Sequence, residues 1–282
     1  MTIDPLESLT VDPRHHVASF FRIERWELPP DAAEGAEAPS AMAGRAPIDA
    51  HLRGPGGGLR TGALITVLDS LGGLMSGLAV HPRWIVTTNL MATVAELSHR
   101  GPLRMSGRVL RQGRNSVVSA LRVVDEGAGD RPVAAATMTS AVLDPGAMSL
   151  DFERPLVVPM PPPSGDERTP EDFFCIEPGD GPVTRLRLED RLRNPWGILH
   201  GGALAVLADV AACRAASRSG GPVRAAADTV LHYLQPARVG PIEAHATVIG
   251  NDERHPLVRV GIHDAGADNR VVMLASVRVV PV

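Results

Sequence analysis

The feature that most constrains the fold of this chain is an internal repeat. Residues Leu52–Leu64 align without gaps with Leu192–Leu204, and eight of the thirteen positions are identical. The same offset of 140 residues aligns Asp69 with Asp209. Self-similarity at a fixed offset indicates that one structural unit occurs twice.

The repeat divides the chain into three parts. We expect a first unit over residues 1–145 and a second over residues 171–282, each of a size that is ordinary for one domain. The proline-rich segment 146–170 between them is typical of an extended linker. A polar loop, Pro29–Gly44, is an insertion in the first unit only.

Each unit contains the same series of predicted elements. A short strand precedes a loop rich in Gly and Pro, one helix follows, and three or four strands rich in Val, Thr and Ile complete the unit. The helices are expected at about Gly62–Val80 and Gly202–Arg218. The later strands are expected at Trp84–Val94, Leu103–Arg111, Val117–Asp125 and Pro132–Leu143, and again at Val223–Leu234, Ile242–Ile249, Leu257–His263 and Arg270–Val280.

Composition excludes several functions. The net charge of −4 offers no basic field for nucleic acid or for an anionic membrane. All 28 positive side chains are arginine, so neither a Schiff-base lysine nor a phosphate-loop lysine is present. The two cysteines and the scattered histidines show no metal-ligand spacing, and no cofactor is expected.

The termini and the helices indicate a cytoplasmic protein. The first residues lack the basic and apolar regions of a signal peptide. The most apolar helical stretch, Gly202–Cys213, contains Asp209 and is too short to cross a bilayer. We therefore expect no membrane span.

The two repeated aspartates lie at unusual places on their helices. Asp69 lies beside the apolar stripe of the first helix, on a flank of small residues that includes Gly72 and Gly73. Small residues allow a second helix to approach closely. We therefore expect Asp69 and Asp209 to be partly buried at the edge of a contact between helices.

The second helix begins with Gly201 and Gly202. The first N–H groups of a helix have no intrahelical partner, and a glycine there lets a ligand approach the backbone. The helix start can therefore stabilise a carbonyl oxygen that becomes an oxyanion. Asp209 lies eight residues further on, about 12 Å along a helix, so it cannot serve this position. Pseudo-two-fold packing of the units would instead bring Asp69 towards Gly201, and Asp209 towards Thr61.

At this point the sequence resembles a known family. The spacing of Asn194, His200, Gly201, Gly202 and Asp209 is similar to that of hotdog-fold acyl-CoA thioesterases of the phenylacetate-pathway (PaaI) type. The resemblance implies an α+β fold in which a sheet wraps one long helix. It covers nearly the whole chain twice, which implies a double hotdog with two helix-wrapped antiparallel sheets joined in one chain.

The resemblance also implies a composite catalytic site. The family binds the thioester carbonyl at the N–H of the residue that is Gly201 here, and Asn194 matches the residue that positions the carbonyl or the water. The family's aspartate comes from the opposite unit, which makes it Asp69, and a hydroxyl 18 positions later is Thr87. With His200, these residues form one candidate site per chain.

Other residues are assigned smaller roles. Gly202, Arg111 and Arg114 are candidates for binding substrate, the two arginines through a CoA phosphate. A solvated hairpin is the alternative for both arginines. For His200 the alternative is a cap at the helix start, and for Thr87 it is an ordinary strand threonine. Trp196 and Tyr233 are interpreted as packing residues.

The mirror-image site has lost its motif. Arg60 and Thr61 stand where the intact motif has His200 and Gly201, while Asp209 is kept. The hydroxyl position falls in the run Ala225–Ala227. We expect this degenerate site to be inactive.

Three functions remain open from the sequence. The first is hydrolysis of an acyl-CoA, aryl-CoA or acyl-carrier-protein thioester. The second is a non-catalytic acyl-CoA binder or scaffold on the same fold, and the third is a hotdog dehydratase or hydratase. The family's habit of assembling also implies a homodimer of double hotdogs.

Overall fold

The computed structural model describes most of the chain. The described residues are 17–23, 25–27, 41–81, 83–97, 100–143, 165–194, 197–217, 222–250 and 252–282. Most of the predicted linker, residues 146–164, lies outside the described residues, as does Trp196.

Four α-helices, four short 3₁₀ helices and twelve strands make up the described part of the chain. The α-helices are α1 (Val17–Phe20), α2 (Thr61–Val80), α3 (Pro170–Phe173) and α4 (Gly201–Ser217). The strands of the first half are β1 (Arg25–Glu27), β2 (Ala41–Ala46), β3 (Trp84–Val94), β4 (Leu103–Gln112), β5 (Ser116–Asp125) and β6 (Arg131–Leu143). Those of the second half are β7 (Ile176–Pro178), β8 (Val183–Leu186), β9 (Arg224–Tyr233), β10 (Ile242–Ile249), β11 (Leu257–Asp264) and β12 (Arg270–Pro281). The eight strands predicted after the helices are confirmed to within one residue at each end.

All twelve strands belong to one antiparallel sheet. Their order is β1-β2-β4-β5-β6-β3-β9-β12-β11-β10-β8-β7, so the second half repeats the order of the first in reverse. The halves join at β3 and β9, where Leu90 lies opposite Leu231. The fold is therefore a mixed α/β structure with one large sheet and few helices.

The two long helices form the core with the sheet. Helix α2 packs on β2 to β6, and α4 packs on β8 to β12. Among the described residues, α2 alone is long and apolar enough to cross a membrane by length and composition, and 61% of that window is buried inside the protein. The sequence analysis named Gly202–Cys213 as the most apolar helical stretch, and α2 is a longer apolar helix that it did not consider as a candidate span.

The helices cross near their first turns. A β-carbon added to Gly62 would lie 2.7 Å from backbone atoms of Ala205 and Val206. At the equivalent place in the other half, a β-carbon on Gly202 would lie 2.2 Å from the methyl carbon of Thr66. Both positions therefore require glycine, and the two contacts are related by the pseudo-two-fold symmetry that the repeat predicts.

The predicted contact flank of α2 was misplaced. A β-carbon on Gly72 would meet the side chain of Met138 on the sheet, and one on Gly73 would meet nothing within 4 Å. Close approach of the helices therefore occurs at the glycines of the first turns rather than beside Asp69.

The insertion in the first half is shorter than predicted. Residues Ala41–Gly44, assigned to a loop from the sequence, lie in β2. The rest of the connection from β1 to β2 lies outside the described residues. In the second half the equivalent strands β7 and β8 are joined by residues 179–182.

Phenylalanines from both halves meet at the interface between them. The rings of Phe20 and Phe173 stack with centroids 3.9 Å apart. Phe21 and Phe174 lie beside them, and all four side chains are fully buried. Their burial joins the halves into one hydrophobic core.

Candidate functional site

Asp69, in the middle of α2, forms a hydrogen bond with a strand of the same half. Thr87 on β3 donates through Oγ1 to Oδ1 of Asp69 at 2.7 Å. The carboxylate is enclosed by protein atoms although the side chain keeps a partly exposed edge. This enclosure raises the pKa of Asp69 to about 6, and the hydrogen bond from Thr87 offsets part of the rise.

The carboxylate of Asp69 reaches the start of α4. A β-carbon added to Gly201 would lie 3.3 Å from Oδ2 of Asp69. Gly201 is the first residue of α4, so its N–H lacks an intrahelical partner. Among the described residues, neither this N–H nor Oδ2 of Asp69 has a hydrogen-bond partner. The structure therefore brings together an ionisable carboxylate and an open backbone donor from different halves of the chain.

His200 acts at the helix start. Its Nδ1 accepts a hydrogen bond from the N–H of Gly202 at 3.0 Å. This contact corresponds to the capping alternative that the sequence left open. Gly202 itself is buried against Thr66, and its N–H is occupied, so the structure places it at the helix crossing rather than at an open surface.

Asn194 shapes the loop before α4. Its Oδ1 accepts from the N–H of Ile198 at 3.3 Å. The backbone N–H of Asn194 donates to the carbonyl of Ile198 at 2.8 Å. These contacts join the two sides of the loop before α4, in which residues 195 and 196 lie outside the described residues.

Tyr233 on β9 is a member of the site that sequence reasoning missed. Its hydroxyl donates to the carbonyl of Gly201 at 3.2 Å. A β-carbon on Gly201 would lie 3.3 Å from its ring. Burial and the nearby charge of Asp69 raise the pKa of Tyr233 well above its usual range. When the two halves are aligned on the Gly-Pro pairs that follow β3 and β9, Tyr233 corresponds to Val94. A tyrosine at a position where the other half has an apolar residue is the sequence signal that could have identified it.

The mirror-image site is filled by an arginine. Nη1 of Arg60 donates to Oδ1 of Asp209 at 3.0 Å, and both side chains are almost fully buried. The N–H of Gly62 donates to Oδ2 of Asp209 at 2.7 Å, and Sγ of Cys213 lies 3.3 Å from Oδ1. The other end of the guanidinium is paired with Glu171 of α3. Both oxygens of Asp209 are therefore occupied.

Thr61 does not face Asp209 through its side chain. Its hydroxyl donates to the backbone carbonyl of Ala226 at 2.5 Å. When the two halves are aligned on the Gly-Pro pairs that follow β3 and β9, Ala226 corresponds to Thr87. The predicted proximity of Asp209 and Arg60 is thus observed, whereas the Thr61 hydroxyl points to the next strand.

Arg111 and Arg114 are exposed at the turn between β4 and β5. This turn lies in the same row of the sheet as Thr87, because Thr87 is opposite Ser140, Ser140 is opposite Val117, and Val117 is opposite Gln112. Three strand spacings of about 4.8 Å separate Thr87 from the turn by about 14 Å.

The corresponding turn of the second half has the opposite charge. Between β10 and β11 the chain carries Asp252, Glu253 and Arg254, all exposed, which gives this turn a net charge of −1. The half that contains Asp69 and Thr87 therefore has a basic turn. The half that contains Asp209 has a turn with two carboxylates at the equivalent place.

No metal site is found among the residues that the structure describes. No group of three or more His, Cys, Asp or Glu side chains there is arranged to hold a metal ion.

Comparisons with known proteins agree with this architecture. The sequence model of the thioesterase superfamily matches residues 197–266. The fold is similar to that of the TesB protein of Mycobacterium avium subspecies paratuberculosis, with a TM-score of 0.60 and 12% identity over 94% of this chain and 97% of that one. No curated protein matches the chain in sequence.

Two further solved structures are carrier-protein thioesterases. The 12:0-ACP thioesterase of Umbellularia californica aligns with a TM-score of 0.59 and 11% identity over 86% of this chain and 95% of that one. An acyl-ACP thioesterase of Bacteroides thetaiotaomicron aligns with a TM-score of 0.54 and 14% identity over 85% and 98%. The chain therefore has the fold of these thioesterases, and residues 197–266 of its second half match the model of the thioesterase superfamily.

Proposed function

We propose that this chain hydrolyses acyl-CoA or acyl-carrier-protein thioesters at one composite site. The observation that carries the proposal is the position of Asp69 Oδ2 beside Gly201 at the open start of α4. A carboxylate and an unoccupied backbone donor at this separation can face the two sides of one carbonyl group.

The proposed chemistry assigns one role to each group. The thioester oxygen accepts from the N–H of Gly201, which stabilises the oxyanion as it forms. Asp69 takes a proton from water as the water attacks the carbonyl carbon, and the proton then passes to the leaving sulfur. Alternatively, Asp69 attacks the carbon itself and water hydrolyses the resulting anhydride. Either route consumes one water and yields a carboxylic acid and a thiol.

The ionisation state of Asp69 supports this role. A pKa of about 6 leaves the carboxylate charged at neutral pH. It also makes the group a stronger base than an ordinary aspartate, since catalytic bases work best with a pKa near the operating pH. Thr87 and Asn194 are proposed to orient the carboxylate and the helix-start loop respectively.

We propose that the chain is a double hotdog with one active and one inactive site. The reversed strand order of the two halves and their junction at β3 and β9 support the two-unit architecture. The pairing of Asp209 with Arg60 and with the N–H of Gly62 supports an inactive mirror site. The three donors that surround Asp209, with the Arg60 guanidinium among them, occupy the place where a substrate would meet this carboxylate.

The basic turn is proposed to bind the phosphates at the far end of the pantetheine arm. Arg111 and Arg114 lie about 14 Å from Thr87 along one row of the sheet, a distance that an extended arm has to cover. The acidic turn of the other half would repel the same phosphates. This asymmetry favours CoA or a phosphopantetheine group on the side of Asp69.

One observation favours the competing function, a non-catalytic acyl-CoA binder. The burial of Arg60 at the mirror site shows that the fold can be kept while a site is filled. A dehydratase or hydratase has less support, because its histidine would have to act on substrate and Nδ1 of His200 is occupied by Gly202.

Release of free thiol from a panel of acyl-CoA, aryl-CoA and acyl-carrier-protein thioesters tests the proposal. We expect turnover with at least one member of the panel and none with the Asp69→Asn variant. Tight binding of a thioester with no release of thiol would favour the binder. Water addition to an enoyl thioester without hydrolysis would favour the hydratase.

A further inference from the structure

The peptide group that joins Gly201 to Gly202 is held at both of its polar ends. Its carbonyl accepts from the hydroxyl of Tyr233 at 3.2 Å, and its N–H donates to Nδ1 of His200 at 3.0 Å. A peptide between two glycines has more freedom to rotate than any other. Both hydrogen bonds come from outside the ladder of α4 and therefore add to the helical hydrogen bonding of this peptide.

The equivalent peptide of the mirror site, between Thr61 and Gly62, is held differently. The N–H of Gly62 donates to Oδ2 of Asp209 at 2.7 Å. Arg60, at the place of the histidine, has no acceptor atom to offer this N–H. Val94, at the place of Tyr233, has no hydroxyl for the carbonyl. The mirror site has neither the histidine nor the tyrosine, and there the helix N–H of Gly62 donates to the carboxylate of Asp209.

We propose that His200 and Tyr233 are positioning residues that hold the Gly201–Gly202 peptide so that its N–H does not reach Asp69. This inference rests on the proposed function, in which Oδ2 of Asp69 must stay open to substrate or water. It explains why a histidine and a tyrosine accompany the reactive half, although neither needs to touch the reacting atoms.

The physical reason lies in the charged form of the carboxylate. A backbone N–H that donates to a carboxylate stabilises its charge and makes it a weaker base. Asp69 accepts one such bond among the described residues, from the Thr87 hydroxyl. If the Gly202 N–H added a second, Asp69 would be occupied in the way that Asp209 is.

The neutral form of histidine suits this task. Nδ1 can accept from Gly202 only when it carries no proton, so the ring proton of neutral His200 is on Nε2. Among the described residues, Tyr233 from β9 is the titratable group that interacts with the charge of Asp69. Thr87 from β3 adds a hydrogen bond without a charge.

A titration of Asp69 itself tests the inference without any substrate. Carbon-13 carboxyl resonances of aspartate are followed by NMR against pH, with Asp69 assigned by its absence in Asp69→Asn. We expect wild type to titrate near 6. In His200→Leu the released N–H should lower the pKa of Asp69 by about one unit, the size of a typical single hydrogen-bond effect. His200→Asn, whose amide oxygen can take the place of Nδ1, should titrate as wild type.

The Tyr233→Phe variant provides a second measurement in case His200→Leu fails to fold. Loss of the hydroxyl frees the peptide carbonyl, so the pKa of Asp69 should again fall. If Tyr233 instead donated directly to Asp69, removing its hydroxyl would raise that pKa. An unchanged or raised pKa in folded His200→Leu or Tyr233→Phe overturns the inference.

The outcome is separable from the proposed function. An unchanged titration of the variants, together with thioester hydrolysis by wild type, overturns the positioning role alone. A lowered pKa in the variants, with no hydrolysis by wild type, supports the positioning role and overturns the function.

Discussion

Asp69 and Gly201 lie on different helices and in different halves of the chain, yet Oδ2 of Asp69 is 3.3 Å from the point where a β-carbon on Gly201 would lie. Neither half could form this arrangement alone. The proposed site therefore depends on the packing of the two units of the repeat within one chain.

Three glycine substitutions separate the site from the helix crossing. Gly201→Ala should lower turnover at least tenfold with little loss of stability, because its methyl group would lie between Asp69 and the Tyr233 ring. Gly202→Ala should prevent folding, because its methyl group would overlap the side chain of Thr66. Steady-state rates and thermal melts measure both effects.

Gly73→Ala is the matched control for these variants. A β-carbon there meets nothing within 4 Å, so the substitution should stabilise α2 by about 0.5–1 kcal/mol and leave turnover unchanged. Equal stability losses in Gly201→Ala and Gly202→Ala would show that Gly201 is also a packing position.

The pH dependence of hydrolysis should follow Asp69. Because only the charged carboxylate can act as base or nucleophile, kcat/KM should rise with pH through an apparent pKa of about 6. Thr87→Val removes the hydrogen bond that favours the charged form, so the acidic limb should move to higher pH. A limb that stays in place in Thr87→Val would contradict the assignment of this pKa to Asp69.

The repeat and the strand pattern made much of this arrangement predictable. The alternation of Val, Ile and Thr located eight strands to within one residue, and the offset between Asp69 and Asp209 predicted the approach of Asp69 to Gly201 across the two halves. Both signals are local or periodic, which is the kind of information that one sequence carries.

The remaining features depend on the angle at which the helices cross, which the sequence does not specify. Several glycines on α2 could have formed the contact, and only packing selects Gly62 over Gly72 and Gly73. Tyr233 enters the site from a strand that joins the other half of the sheet. The role proposed for Tyr233 depends on the orientation of the Gly201–Gly202 peptide, and a sequence pattern of side chains does not reveal the orientation of a peptide.

The basic turn should affect substrates that carry phosphate. Arg111→Gln combined with Arg114→Gln should raise KM for acyl-CoA about tenfold, the size expected for losing one charge-assisted contact of about 1.5 kcal/mol. The same variant should leave KM unchanged for the acyl-pantetheine that lacks the nucleotide and its phosphates. Arg122→Gln, an exposed arginine on β5, is the control and should behave as wild type.

Comparison of acyl-CoA with an acyl-carrier-protein substrate then identifies the source of the phosphate. If KM rises for acyl-CoA alone, the arginines bind the phosphates of the nucleotide. If KM rises equally for acyl-CoA and for the acyl-carrier-protein, they bind the phosphate of the pantetheine arm that both substrates share. An equal loss with acyl-pantetheine would mean that the arginines act on the fold rather than on the ligand.

The chain is expected to form a homodimer. Met91 on the central strand β3 is 47% exposed, and Leu110 and Ile249 at the ends of β4 and β10 are 49% and 48% exposed. Exposed apolar side chains on a sheet favour association with another surface. Sedimentation at micromolar concentration should give twice the chain mass of 29.8 kDa. A single species at the chain mass would contradict this expectation.

The two repeated aspartates should differ in their effect on stability. The pKa of Asp69 is raised from 3.8 to about 6, so its charge opposes folding at neutral pH, and this opposition is lost progressively as pH falls from about 6 to 3.8. Asp69→Asn should therefore stabilise the protein at pH 7 by about 1–3 kcal/mol. Asp209→Asn leaves the buried guanidinium of Arg60 with one carboxylate and should destabilise by about 3 kcal/mol. The sequence alone suggested about 1 kcal/mol, a typical value for a point substitution without regard to burial.

Steady-state hydrolysis by Asp69→Asn and Asp209→Asn tests the claim of one composite site most directly. With the best thioester of the panel and a thermal melt to confirm folding, Asp69→Asn should lose about 10²–10⁴ in rate, while folded Asp209→Asn keeps most of its activity. Full activity of Asp69→Asn together with loss in a folded Asp209→Asn protein would contradict the account.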